Sequence, residues 1–171
     1  SVSGGCVEGA LYELCEQVVA TGSPVLQRYG VSDDDAYAVG LTCGGILDVF
    51  VESVSPATFP ELEEVAADIE AQRPVAVATV VEHPDPARVG RRLVVRPAGV
   101  AATLGSTLGS TLGSTLGSTR ADAAVTDDAL GLLAAGRSET LTYGPDGERR
   151  GEGMRVFVAS FAPRPRMLVF G

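Results

Sequence analysis

The chain has 171 residues, 45% hydrophobic and 20% charged, a composition suited to a folded domain with its own core. Its net charge of −9, from 22 acidic against 13 basic residues, argues against nucleic acid and anionic membrane surfaces as partners, since both need clustered basic residues. Every basic residue is Arg, and with neither Lys nor Asn the chain has no catalytic lysine, no Walker A lysine and no Asn-linked glycosylation site.

In chain order, a small-residue loop at 1–5 leads into a helix predicted over 6–20, with Val7, Ala10, Leu11, Leu14, Val18 and Val19 at helical spacing and Thr-Gly-Ser-Pro closing it. A short strand is expected at 25–31, a charged turn at 32–35, and a Gly-rich stretch of no assigned structure at 36–45. Residues 46–54 read as a strand whose cleaner apolar face carries Leu47, Val49 and Val51. Residues 60–72 predict a helix through Leu62, Val65, Ala66 and Ile69, with Glu61, Glu63 and Glu64 suited to its positive N-terminus. The continuous β-rich run at 74–81 predicts a buried strand, and 93–96 another. A helix follows at 121–135, ended by Gly136, and then a hairpin pairing 140–143 with 154–161 around Gly-Pro-Asp-Gly. Mixed helices and strands with a hairpin predict an α+β fold, a mixed β-sheet with flanking helices.

Residues 103–119 are Thr-Leu-Gly-Ser four times over, then Thr. Leu every fourth residue suggests a helix, but four interior glycines oppose it by about 4 kcal/mol relative to Ala. The simplest reading is an expanded low-complexity surface loop without chemistry. The 23-residue uncharged run at 97–119 is too rich in Gly, Ser and Thr to cross a membrane.

His83, the single histidine, stands between Glu82 and Pro84 and is expected in a loop; the Gly-x-Ser-x-Gly elbow of a serine hydrolase is absent. Three cysteines without a Cys-x-x-Cys pair favour a reducing compartment, the cytoplasm, over a disulfide scaffold. Two of them adjoin paired glycines: Gly4-Gly5-Cys6, two residues before Glu8, and Cys43-Gly44-Gly45, after Thr42. Glycines let backbone N–H groups approach an anion, and a thiolate near a helix N-terminus is a soft-metal ligand or a sulfur nucleophile. Against this, a free Cys is most often a small buried hydrophobe, Glu8 an ordinary first-turn acid, and Asp33–Asp35 a solvated turn.

Three blocks resemble the XdhC/CoxI family of accessory factors for xanthine dehydrogenase and carbon monoxide dehydrogenase. They are Ser-Val-Ser-Gly-Gly-Cys-Val-Glu-Gly at 1–9, Tyr-Gly-Val-Ser-Asp-Asp-Asp at 29–35, and Val-Gly-Leu-Thr-Cys-Gly-Gly-Ile-Leu-Asp-Val at 39–49. The closing Phe-Ala-Pro-Arg-Pro-Arg-Met-Leu-Val-Phe-Gly at 161–171 resembles the family's lead-in to a Rossmann-like domain. The resemblance covers nearly the whole chain except the repeat. It implies an XdhC/CoxI-like domain over 1–162, and at 163–171 a linker and the first strand of a truncated Rossmann-like domain.

The resemblance further implies a cytoplasmic chaperone, not a turnover enzyme, that binds molybdenum cofactor, protects it during sulfuration and delivers it to a xanthine dehydrogenase-type molybdoenzyme. A cysteine desulfurase and a second copy of the chain are the other implied partners. Cys6 and Cys43 would face the cofactor or its sulfur, with Cys43 the candidate molybdenum contact. Gly4, Gly5, Gly44 and Gly45 would offer N–H groups to its phosphate, with Glu8 and Thr42 completing the set. Two other readings stand beside this one. One is an enzyme using Cys6 or Cys43 as a redox or nucleophilic thiol; the other is a structural dimerisation domain.

Overall fold

The computed structural model describes residues 7–30, 46–97 and 115–163. Two compact units divide the chain, Ser1–Thr58 and Phe59–Gly171.

In the first unit, helix α1 (Glu8–Thr21) is followed by strands β1 (Val25–Tyr29) and β2 (Leu47–Val51). Helix α1 stops where Gly22 adopts a left-handed φ of 68° and returns its N–H to the Val18 carbonyl at 2.8 Å. The strands pair antiparallel, Val25 opposite Val51 and Tyr29 opposite Leu47. Across that ladder Arg28 donates two hydrogen bonds to Asp48, at 2.6 and 2.8 Å. Val7, Leu11 and Tyr29 form a small core, packed by Ala10, Leu14 and the alternating Leu47, Val49 and Val51. The period-two face expected of this strand is thus its inward face. Ile46 and Val54, outside the strand, are exposed, as is Val19, which lies off the helix stripe that buries Leu11 and Val18.

The second unit holds helix α2 (Leu62–Glu70), strands β3 (Val75–Glu82) and β4 (Arg92–Val95), helix α3 (Thr119–Ala134), and strands β5 (Glu139–Tyr143) and β6 (Met154–Phe161). The strands form one sheet in the order β4-β3-β6-β5, every neighbour antiparallel. Strand β3 lies inside the sheet, and both of its faces are buried, which accounts for its unbroken apolar run. Helix α3 covers one face. Its Ala121, Ala124, Val125, Ala129 and Leu133 share a core with Ala76, Ala78, Val80, Leu93, Val95, Met154, Val156 and Val158. On the other face Phe59 and Val65 pack with Val75, Val77 and Val94, and the Arg92 guanidinium lies 4.7 Å from the Phe59 ring centre.

The α+β class is borne out, and the described strands make two antiparallel sheets where one mixed sheet was expected. Turns join β3 to β4 and β5 to β6, and α3 carries the chain from β4 at one edge to β5 at the other. A crossover that lands on the far edge creates no parallel neighbours. The elements in both units lie within a few residues of their predicted bounds.

The repeat departs from its simple reading in its last copy, the part that is described. Leu116 is fully buried within the main core. Its backbone N–H donates to Asp122 at 2.7 Å, and the Thr115 hydroxyl donates to the same carboxylate at 2.7 Å. The Ser118 hydroxyl caps α3 by accepting the Ala121 N–H at 3.1 Å. One unit of an otherwise monotonous sequence therefore supplies a core residue and a helix cap. The first three units occupy 103–114, outside the described residues, as does 164–171, which holds most of the linker and strand expected at the C-terminal end.

Candidate functional site

Of the eight residues expected to hold a ligand, Glu8 is described; Gly4, Gly5, Cys6, Thr42, Cys43, Gly44 and Gly45 lie outside the described residues. Glu8 opens α1, a helix without a side-chain cap, and its carboxylate accepts the Val7 N–H at 3.2 Å. That contact gives Glu8 the role of a first-turn acid at the positive end of a helix.

The first unit brings the chain ends that flank both Gly–Cys blocks to one place. Val7, directly after Cys6, is buried in the cluster that contains Tyr29 and is packed by Leu47. Tyr29 and Leu47 face each other across the ladder, so the chain leaves β1 and arrives at β2 at the same end of the pair. The block ending at Gly45 is one residue upstream of Ile46 at that end. Val7, one residue after Cys6, and Leu47, four residues after Cys43, thus lie in one cluster with Tyr29.

Tyr29 is held in its neutral form. Burial raises its pKa above the ordinary phenol value, and the nearby thiol of Cys15 adds to the rise. Cys15 itself is a free, exposed cysteine on α1. It follows Leu14, which packs against the cluster that contains Tyr29.

The second unit carries three polar assemblies, all of which bind its own elements together. In the first, Asp68 on α2 is buried yet accepts hydrogen bonds from Arg73 Nε at 2.7 Å and Arg96 Nε at 2.6 Å. Burial works against its charge, but the bonds and charges of Arg96 and Arg73 prevail and hold its pKa below the usual carboxylate value. Arg96 also reaches Glu64 at 3.6 Å. In the second, His83 lies in a loop as expected. Its Nδ1 accepts the Asp85 N–H at 2.8 Å, so Nε2 carries the proton and donates to the Pro145 carbonyl at 3.0 Å. Arg88 donates to that same carbonyl at 3.1 Å, fastening the β3–β4 loop to the β5–β6 turn. In the third, the buried Tyr143 hydroxyl donates to Asp128 at 2.8 Å, and Arg149 binds the other oxygen of that carboxylate at 2.6 Å.

Sequence reasoning missed Asp68, Arg96 and Tyr143 as a group. A signal existed for the first: an acid inside the apolar stripe of a helix, followed by Arg at the ends of two neighbouring elements. Among the described residues no three His, Cys, Asp or Glu side chains are grouped to hold a metal ion, and no helix is long and apolar enough to cross a membrane.

A model of the XdhC and CoxI family matches residues 1–30 and 68–144, more than half of the chain. The matched stretches take in the Gly4-Gly5-Cys6 block with α1 and β1, and most of the second unit's sheet with α3 and the last repeat copy. The Cys43 block lies between them. No curated protein matches the chain.

Proposed function

The chain belongs to the XdhC and CoxI family, and on that premise we propose that it carries molybdenum cofactor as cargo for a xanthine dehydrogenase-type molybdoenzyme. Membership supports an accessory role beside such enzymes. The observation that carries the finer reading is the match over 1–30, which includes Gly4, Gly5, Cys6 and Glu8. The packing of Val7, Tyr29 and Leu47 in one cluster supports reading the Cys43 block, four residues before Leu47, as part of the same site.

The chemistry of these residues suits that cargo. As thiolates, Cys6 and Cys43 are soft donors for molybdenum, Cys43 being the candidate metal contact. Backbone N–H groups at Gly4, Gly5, Gly44 and Gly45 suit a phosphate, because no Cβ keeps an anion at a distance. Thr42 adds a hydroxyl donor. The protein holds the cofactor while a cysteine desulfurase supplies sulfur, then releases it to the apo-enzyme in the cytoplasm.

The test is transfer. Wild-type chain loaded with cofactor activates an apo-molybdoenzyme of the xanthine dehydrogenase type, and Cys6→Ala and Cys43→Ala each lower the amount delivered. If both variants deliver as much as the wild type, the thiols have no role and the assignment fails. A thiol at either position reacting with iodoacetamide at an apparent pKa below that of free cysteine, with chemical turnover by the chain alone, would favour the enzyme reading instead.

A further inference from the structure

The two units carry one pattern twice. Aligned without a gap, Val7, Ala10, Leu11, Gly22, Tyr29 and Gly30 fall on Ala121, Ala124, Val125, Gly136, Tyr143 and Gly144. Each helix is closed by a left-handed glycine, Gly22 at φ 68° and Gly136 at φ 63°. Each following strand ends in a buried tyrosine, and the pairing sets Tyr29 opposite Leu47 and Tyr143 opposite Met154. From there Val49, Phe50 and Val51 match Val156, Phe157 and Val158. Both stretches that the family model matches stop at the Tyr-Gly pair, at residues 30 and 144. In this frame the Gly4-Gly5-Cys6 block falls on Ser118-Thr119-Arg120, at the start of α3, and Glu8 falls on Asp122.

We propose that the start of α3 is a second ligand site, one for a phosphate group, held by Arg91 and Arg88 beside Gly117. A Cβ at Gly117 would lie 3.1 Å from Arg91 Nη1 and 3.0 Å from Arg88 Nε, and its φ of 111° is one that other residues avoid. Glycine here lets two guanidinium groups lie side by side against the backbone, at the positive end of a 16-residue helix. Cations gathered at a positive helix end repel one another unless an anion joins them. Arg88 is partly neutralised by Asp146 at 3.2 Å and Asp85 at 3.9 Å. Arg91 is exposed, and among the described residues it meets no carboxylate; its Nε donates to the Ala87 carbonyl at 3.2 Å, which leaves its Nη groups for a ligand. The acid of this turn, Asp122, is engaged by the Leu116 N–H and the Thr115 hydroxyl, and Arg120 reaches Glu148 at 3.4 Å. The N–H groups of Thr119 and Arg120, in the first turn of α3, have no acceptor among the described residues and are donors of the kind that hold phosphate at helix starts. The two copies have thus diverged in chemistry, to a thiol between small residues in the first and to arginines in the second. The phosphate site uses residues of the second unit alone, so it stands whether or not the first unit carries a cofactor.

Calorimetric titration of the full chain with inorganic phosphate and, separately, with methyl phosphate tests this at fixed ionic strength. The wild type is expected to bind saturably; binding of either probe supports the proposal, and the tighter of the two tells whether the site takes the free ion or an ester. Arg91→Gln removes an exposed guanidinium and strands no acidic partner, so the variant is expected to stay folded, which circular dichroism checks. Its phosphate binding is expected to be weaker by about tenfold or more, the loss of charge-assisted hydrogen bonds. Cys6→Ala and Cys43→Ala are expected to bind phosphate as the wild type does, which separates this result from the test of the carrier reading. A folded wild type that binds neither probe, an Arg91→Gln chain that binds as tightly as the wild type, or loss of phosphate binding in either cysteine variant overturns the proposal.

Discussion

Leu116→Ala distinguishes the last Thr-Leu-Gly-Ser copy from an inert loop. The side chain is fully buried in the core shared by α3 and the sheet. Truncating a buried Leu to Ala costs about 2–5 kcal/mol, depending on how far the surroundings collapse into the space. Collapse is restricted here, because the chain on both sides is tied down. Asp122 holds the Leu116 N–H and the Thr115 hydroxyl, and Ser118 caps the helix. The expected loss is therefore mid-range, about 3 kcal/mol. Ser118→Ala should cost about 1 kcal/mol through the lost cap. Deleting one whole four-residue unit from within 103–114 leaves the sequence at 115–119 unchanged. Loop-closure entropy varies only with the logarithm of length, so that deletion should change stability by less than about 0.6 kcal/mol. Urea denaturation followed by far-ultraviolet circular dichroism measures all three. A Leu116→Ala chain within about 0.5 kcal/mol of wild type, the range of an ordinary surface change, refutes the reasoning. So does a unit deletion that destabilises as much as Leu116→Ala.

Two pH effects follow from the polar assemblies of the second unit. Arg96 and Arg73 lower the pKa of Asp68, so its contribution is complete above the unfolded carboxylate value of about 3.9 and disappears as pH falls below it. Asp68→Asn should lower stability at neutral pH by about 1–3 kcal/mol and flatten the acid limb of the stability curve, as urea midpoints between neutral and acidic pH will show. Burial and the Asp128 carboxylate raise the pKa of Tyr143, so stability is full below the unfolded phenol value of about 10 and falls as pH rises above it. Tyr143→Phe should cost about 1 kcal/mol at neutral pH and remove part of that alkaline loss, which thermal unfolding across the alkaline range measures.

Most elements were legible because their signals are local. The unbroken run at 74–81 predicted a buried strand, and β3 lies inside the sheet with both faces buried. The Gly-Pro-Asp-Gly turn predicted the β5–β6 pair, and Gly136, with φ of 63°, ends α3 where a left-handed residue was expected. What could not be read depends on residues distant in sequence. Asp68 looks like a solvated acid until Arg96, on a different element, is brought beside it. Leu62 and Ile69, which share the predicted apolar stripe of α2, stay partly exposed while Val65 and Asp68 are buried. Leu116 carries the same local sequence as the other leucines of the repeat, so its burial beside the start of α3 could not be read from the repeat itself. For the candidate site, the residues come from the sequence, and the structure adds that Val7, Tyr29 and Leu47, which lie near them in the chain, share one small cluster.

Equilibrium binding of molybdenum cofactor under anaerobic conditions tests the central claim most directly, with the wild type, Cys6→Ala and Cys43→Ala measured side by side. The account predicts saturable binding by the wild type and at least tenfold weaker binding by each variant, a difference of about 1.4 kcal/mol or more. A folded wild-type chain that does not bind the cofactor, or variants that bind it as tightly as the wild type, would contradict the account.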